Sequence, residues 1–412
     1  MLKKFITERY FCGLDIGTQS IKASIVERMD DSKASIVGVY ETPTRGYYKA
    51  SITDLDELSE CIHKTLAALS KKTGIKIKDL VLGIGGELVQ IRPSQAVIAL
   101  IDRGNKIITR QDIIKVQTQA RLLGSNMDEI VVHNFPQYYK VDDVNMASNP
   151  LGLYGRKLEM SCLLILVQGT AIKNLTTAVN QAGYDVAHLF FASYASSQIN
   201  LSAQERKQGS ILVDVGSSLT NILMYKDDQV RSIFQIKMGG DGITQAIVQD
   251  INITFDLAEE IKKSYAAAIG TDKQNDEEIL IRKDDNYIPV QKKLIHQSIE
   301  PLINDFASSI VKAINESPFY DQMNSGIVMS GGGALLQGLP EHIEQITNLP
   351  VRMGQVKFSK RRLHNTATFS SAVGLAQLGL DISGGVKFQH PKREQKMHQW
   401  INKIKELYQE YF

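Results

Sequence analysis

At roughly 150 residues per domain, a chain of 412 residues is expected to form two or three domains around a sizeable core. Forty-seven Lys and Arg against 45 Asp and Glu leave a formal net charge of +2, too nearly balanced for a chain that coats nucleic-acid phosphate, so no nucleic-acid partner is expected. Hydrophobic residues at 43% and charged residues at 22% exclude a mostly disordered or collagen-like chain.

Met1–Tyr10 interleaves charges with few apolar residues and lacks the apolar stretch of a secretory signal. The longest apolar runs, such as Cys162–Val167, fall far short of the roughly 20 residues needed to span a bilayer. A cytosolic chain with reduced thiols is expected. Cys12, Cys61 and Cys162 offer no disulfide framework or CxxC site. The histidines have no HxxxH or HExxH spacing, and no Ser/His/Asp arrangement is identifiable.

FCGLDIG, IKASIVE and ASIVGVYE read as three consecutive strands from Phe11. Leu55 to Leu69 has apolar residues at helical spacing, and VLGIGG at Val81 returns to strand. Nearly the same β-β-β-α order recurs after residue 210, where two or three strands run to Gly240 and DGITQAIVQDIN opens a helix, so the chain contains a remote internal duplication. Between the copies, Gly85 to Gln168 reads as an inserted domain, with a strand at VIALIDR, a helix at TRQDIIKVQTQARLLG, a turn-rich loop at NMASNPLGLYG and a late strand at LEMSCLLILV. Further on, GIVMSGGGALLQGLPEHI at Gly326 to Ile343 predicts a strand, three glycines and a helix. Asp381 to Gln395, with Gly-Gly, a Pro and charges, reads as a flexible tether.

The two copies align best at their first turns, Asp15-Ile-Gly17-Thr18 and Asp214-Val-Gly216-Ser217. A strand ending in Asp before a glycine turn brings backbone close to an anion, offers amide and hydroxyl donors to phosphate, and leaves a carboxylate for hydrated Mg2+. One such hairpin fits equally a turn that binds nothing. Two in a duplicated arrangement can grip a polyphosphate from both sides. Gly331, Gly332 and Gly333 leave room for a flat base against the backbone, although SGGG alone also fits a plain flexible turn. No GxxxxGK[ST] or GxGxxG string accompanies these glycines, so neither a P-loop nor a dinucleotide fold is supported.

The order of these elements resembles the actin and sugar-kinase superfamily, in which two related halves close on ATP. Within it the chain is most similar to the FtsA family of bacterial actin-like cell-division proteins, almost end to end. The more specific marks are FPQYYKVDD at Phe135 to Asp143, NPLGLYGRKLE at Asn149 to Glu159, GGDGIT at Gly239 to Thr244 and AEEIKKSY at Ala258 to Tyr265. The resemblance implies an α/β, duplicated, ribonuclease H-like fold of two lobes. Residues 1–84, with 169–195 and roughly 365–380, would form subdomain 1A, 85–168 the inserted α+β subdomain 1C, 196–240 with 316–364 subdomain 2A, and 241–315 subdomain 2B. A linker at 381–395 would lead to a membrane-targeting helix at 396–412.

By the same similarity, Asp15, Gly17, Thr18, Gln19, Ser20 and Lys22 belong to the first phosphate loop, and Asp214, Gly216, Ser217, Ser218, Thr220 and Asn221 to the second. Gly239, Gly240 and Asp241 would lie near phosphates or ribose, Glu259 and Lys262 beside ribose or adenine, and Gly331, Gly332, Gly333 and Leu336 around the adenosine. Asp15 and Asp214 would hold Mg2+ through water. Relatives usually carry consecutive glycines in the second loop and often an Asp at its end, where this chain has Ser217-Ser218 and Asn221. Asparagine cannot accept a proton as a carboxylate can, so ATP binding with slow or absent turnover is expected.

At the C-terminus, Met397, Trp400, Ile401, Ile404, Leu407, Tyr408, Tyr411 and Phe412 fall within an arc of roughly 140° on a helix. Lys396, Lys403 and Lys405 border that arc, an arrangement suited to an anionic membrane surface. The pattern alone also fits a terminal helix packed on its own domain. The tether, the terminal aromatics and the resemblance favour lipid, and filament assembly would reinforce weak single-copy attachment. The resemblance further implies self-assembly into filaments, binding of the tail of FtsZ, the tubulin-like division protein, by 2B, and docking of later division membrane proteins on 1C. A peripheral location on the inner face of the cytoplasmic membrane at the septum follows. An FtsA-like pilus or secretion scaffold and, more remotely, a sugar-kinase-type phosphotransferase are the alternatives.

Overall fold

The computed structural model of the chain describes residues 9–29, 34–100, 106–269, 277–283, 286–356 and 366–385. The expected membrane helix at 396–412 and the tether beyond Gly385 lie outside the described residues.

The first half opens with β1 (Tyr10–Ile16), β2 (Ser20–Arg28) and β3 (Ala34–Pro43), followed by a small hairpin of β4 (Tyr47–Tyr48) and β5 (Ser51–Ile52), α1 (Leu55–Thr73) and β6 (Asp79–Ile84). The inserted region contributes β7 (Val89–Ala99), β8 (Lys106–Ile107), α2 (Arg110–Gly124), β9 (Glu129–Val141), β10 (Asn145–Ala147), β11 (Tyr154–Gly155) and β12 (Lys157–Gln168). The chain then returns through α3 (Gly169–Gln181), β13 (Asp185–Phe191) and α4 (Ala192–Asn200). After α5 (Ala203–Gln208), the second half runs through β14 (Ser210–Val215), β15 (Thr220–Lys226), β16 (Gln229–Ile236), α6 (Gly240–Ile251) and α7 (Phe255–Tyr265). It continues with β17 (Glu278–Lys283), β18 (Asn286–Gln291), α8 (Lys292–Asn315), β19 (Ile327–Ser330), α9 (Leu339–Thr347) and β20 (Val351–Met353), after which α10 (Ser370–Gly385) returns to pack on β1, β2 and β6 of the first half.

The duplication is explicit in the sheets. The first has the order β13-β6-β1-β2-β3 and the second β20-β19-β14-β15-β16. In each, the opening strand pairs antiparallel with the next and parallel with its other neighbour. The inserted region forms its own antiparallel sheet, β10-β9-β12-β7, covered by α2.

Local chemistry accounts for the elements. Asp54 caps α1 by accepting from the Glu57 amide, and Gly74 ends it at φ 73° with its N–H on Ser70 O. Its face of Leu58, Ile62, Leu66 and Leu69 is fully buried, each side chain contributing about 2 kcal/mol to the first core. Thr109 and Asp112 form a capping box at α2. On the first sheet, α10 lies on α4 so closely that a Cβ at Gly374 would sit 2.0 Å from Ala195 O.

Residues 381–385, expected to start a tether, instead lie in α10, which runs to Gly385. The buried face of Ala372, Val373, Leu375, Ala376 and Leu380 carries the helix to its last turn, where Gln377 Nε2 donates to Asp381 Oδ1 at 3.1 Å. Adding residues to a helix already nucleated costs little.

Candidate nucleotide cleft

Both predicted turns close in the same way. On β1 and β2, Asp15 stands opposite Lys22 and the Gly17 amide donates to Ser20 O at 3.1 Å. On β14 and β15, Asp214 stands opposite Asn221 and the Gly216 amide donates to Leu219 O at 2.9 Å. Thr18 and Gln19 in one turn therefore occupy the places of Ser217 and Ser218 in the other. Thr44, which the sequence did not single out, anchors the first turn: its hydroxyl donates to Gly17 O at 2.7 Å and its amide to Gln19 O at 3.0 Å.

The two aspartates differ in their parallel neighbours. Asp15 pairs with Gly83, which has no side chain, whereas Asp214 pairs with Ser330, whose hydroxyl donates to Asp214 Oδ1 at 2.8 Å. Ser193 of α4 donates to the other oxygen, Oδ2, at 2.7 Å. Burial pushes the Asp15 carboxyl up to about 6, with Lys22 pulling it down and the Asp214 charge adding to the rise. Burial also raises Asp214, and the Ser193 and Ser330 hydroxyls oppose it.

The Gly239 segment is stitched to the second turn. The Gly240 amide donates to Gly216 O at 3.0 Å and the Asp241 amide to Ser217 O at 2.7 Å, while a Cβ at Gly239 would lie 2.4 Å from Gly216 O. Thr220 is buried with its hydroxyl on Met238 O at 2.8 Å, so it holds this segment in place rather than facing outward. Gln19 Nε2 donates to Asp241 Oδ1 at 2.7 Å and joins the two halves. Lys262 Nζ donates to Gly240 O at 3.0 Å, to Thr244 Oγ1 at 2.9 Å and to Glu259 Oε2 at 2.5 Å. Burial works against the Glu259 charge, but Lys262 and Thr244 outweigh it and hold the carboxyl below its usual range.

The glycine triplet packs on the same hub. Gly331 takes φ 87°, and a Cβ there would lie 2.3 Å from Val215 O; one at Gly333 would lie 2.5 Å from Val215 Cγ1. A Cβ at Gly332 meets nothing within 4 Å, so that side is open. The helix expected directly after the triplet starts later: Gly333–Leu335 form a 3-10 turn, and Gly338 at φ 76° caps α9, whose first turn holds Leu339 and Pro340. Leu336 lies 9% exposed within the second core.

The donor set suits magnesium carried on phosphates. Among the described residues no group of three or more His, Cys, Asp or Glu is placed to hold a metal. Asp15 and Asp214 supply two carboxylates, which matches an ion that keeps most of its water and takes remaining ligands from a polyphosphate.

A duplicated two-lobed α/β fold, with paired acidic hairpins joined through Gln19 and Asp241, defines the actin-like ATPase class. The PilM component of a PilM–PilN type IV pilus biogenesis complex shares this fold, with a TM-score of 0.66 at 16% identity over 90% of this chain and 98% of that one. MreB5 of Spiroplasma citri bound to ADP gives 0.54 at 12% identity over 92% and 98%. At such identities these likenesses carry the fold alone. The family described as cell division protein FtsA matches residues 211–374, and the SHS2 domain inserted in FtsA matches residues 86–166, together more than half of the chain. Cell division protein FtsA of Pseudomonas aeruginosa is 27% identical over 373 residues, 89% of this chain and 88% of that protein. The chain belongs to the FtsA family of bacterial cell-division proteins.

Proposed function

We propose that the chain binds ATP with Mg2+ between its halves, turns it over slowly or not at all, and assembles into filaments on the inner face of the cytoplasmic membrane at the septum. There Lys396–Phe412 attaches the filament to anionic lipid, residues 241–315 hold the FtsZ tail, and residues 85–168 receive later division proteins. What carries this reading is the pair of hairpins in equivalent register, Asp15 opposite Lys22 and Asp214 opposite Asn221, within a chain of the FtsA family.

Turn amides and the hydroxyls of Thr18, Ser217 and Ser218 would bind phosphate oxygens, with Lys22 as a point charge. Asp15 and Asp214 would hold the hydrated magnesium, which neutralises phosphate charge when bound. Slow turnover is in keeping with Asn221, whose amide is committed to Ser193 Oγ and Gln235 Nε2 and which has no carboxylate to take a proton from water.

Calorimetric titration of the full chain with ATP and magnesium tests the reading. One molecule bound per chain is expected, and no heat would end it. Phosphate release at the rate of a metabolic kinase would refute the slow turnover alone.

A further inference from the structure

The face of α4 turned toward the second half carries Ser193, Ser196, Ser197 and Asn200, at i, i+3, i+4 and i+7, the spacing that normally belongs to an apolar stripe. All four are buried, at 2%, 0%, 0% and 4% exposure. Each buried polar group must find a partner, and these find theirs largely across the halves: Ser193 on Asp214, Ser196 on Ser330 at 3.1 Å, and Ser197 on Tyr225 at 2.5 Å.

The hydrogen bonds at Ser193 run in a fixed direction and end on the oxygen of Asp214 that Ser330 does not reach. Gln235 Nε2 donates to Asn221 Oδ1 at 3.0 Å, Asn221 Nδ2 donates to Ser193 Oγ at 2.9 Å, and Ser193 Oγ donates to Asp214 Oδ2 at 2.7 Å. An amide nitrogen can only donate, so Asn221 occupies a lone pair of the serine and leaves its proton for Asp214. An aspartate at 221 would accept that proton instead and take it from Asp214. The relay starts on β16 and β15 of the second half, crosses to α4 of the first, and returns to β14. Asp214 has its full set of donors only while the halves abut.

Building on the nucleotide reading above, we propose that Ser193 is a positioning residue for the magnesium-facing carboxylate: oriented by Asn221, it holds Asp214 in the geometry that receives hydrated magnesium on a bound nucleotide. The asparagine in place of an acid is then part of the site, because it sets the direction of the relay. The effect belongs to magnesium and not to the nucleotide's own contacts.

The test measures ATP affinity by calorimetry in excess magnesium and in EDTA, for the full chain and for Ser193→Ala, Asn221→Ala and Ser197→Ala. Losing a hydrogen bond to a charged group predicts that Ser193→Ala weakens binding about tenfold in magnesium and less than about twofold in EDTA. Asn221→Ala shifts the same ratio in the same direction, by about threefold. Ser197→Ala, on the same buried face but bonded to Tyr225, leaves the ratio unchanged whatever it does to thermal stability. Equal losses in both buffers for Ser193→Ala, or a Ser197→Ala effect that matches it, overturn the proposal. Should Ser193→Ala fail to fold, an unchanged ratio in Asn221→Ala overturns it. An unmodified chain that binds no ATP in either buffer removes the nucleotide reading and this inference together, whereas normal binding by Ser193→Ala removes only the inference.

Discussion

Gln19 Nε2 donates to Asp241 Oδ1 at 2.7 Å across 222 residues of sequence, joining the first glycine turn to the first turn of α6. Because the Asp241 amide is itself held by Ser217 O, this one side-chain bond connects both hairpins. Burial raises the Asp241 carboxyl, and Gln19 and Lys262 oppose the rise, so the bond is part of what keeps an anion at the cleft.

Removing that bond is expected to loosen the turns without unfolding the chain. In Gln19→Ala, amide hydrogen exchange at 16–20 and 239–242 should speed up in the nucleotide-free protein, and the difference should shrink when ATP and magnesium bind. Unchanged exchange would mean that the backbone stitching alone holds the hairpins.

His133 makes stability sensitive to acid. Its ring stacks on Phe135 at 5.2 Å and lies near Phe190 and Tyr194, and its Nε2 accepts from the Phe191 amide at 2.9 Å. Burial, with a smaller contribution from Arg121, holds its pKa down from 6.5 to about 3. The unfolded chain therefore binds the proton more readily, so the stability is fully present above about pH 6.5 and is lost as pH falls toward 3, by up to about 1.4 kcal/mol per unit. Urea unfolding across that range should show this slope, and His133→Gln should flatten it.

Gly374→Ala separates helix propensity from packing. In an open helix the change would stabilise by about 1 kcal/mol. Here the new Cβ would lie 2.0 Å from Ala195 O, so a loss of about 2 kcal/mol or more is expected in urea unfolding as α4 and α10 are forced apart. A gain in stability would show that the two helices separate easily.

Trp400 is the single tryptophan and reports on the expected membrane helix. Its emission should shift to the blue with anionic vesicles, and the full chain should float with them. A chain ending at Gly385, which keeps α10 whole, should not float. Emission already blue in buffer and unmoved by lipid would place the terminal helix on the protein.

Much of the cleft was legible from local pattern. Asp15-x-Gly17 and Asp214-x-Gly216 announce their turns because a strand that must reverse beside an anion needs glycine there, and the repeated β-β-β-α order exposes the duplication. Ser193, Ser330 and Thr44 were not legible as site residues. Serines on a helix or at a strand end look the same whether they face solvent or a carboxylate, and only the meeting of α4 with β14 and β19 decides which.

Taken alone, the amino-acid order determined the two halves, an inserted region, the acidic turns and the family, all of which depend on short-range spacing and turn chemistry. In the structure β13 rejoins the first sheet after the insertion, which puts that region inside the first half and not between the two. Tertiary structure decided how far α10 extends and which polar side chains cross from one half to the other. Those outcomes depend on surfaces brought together from residues more than a hundred positions apart, such as Ser193 of the first half and Ser330 of the second around one aspartate. No local pattern encodes that geometry.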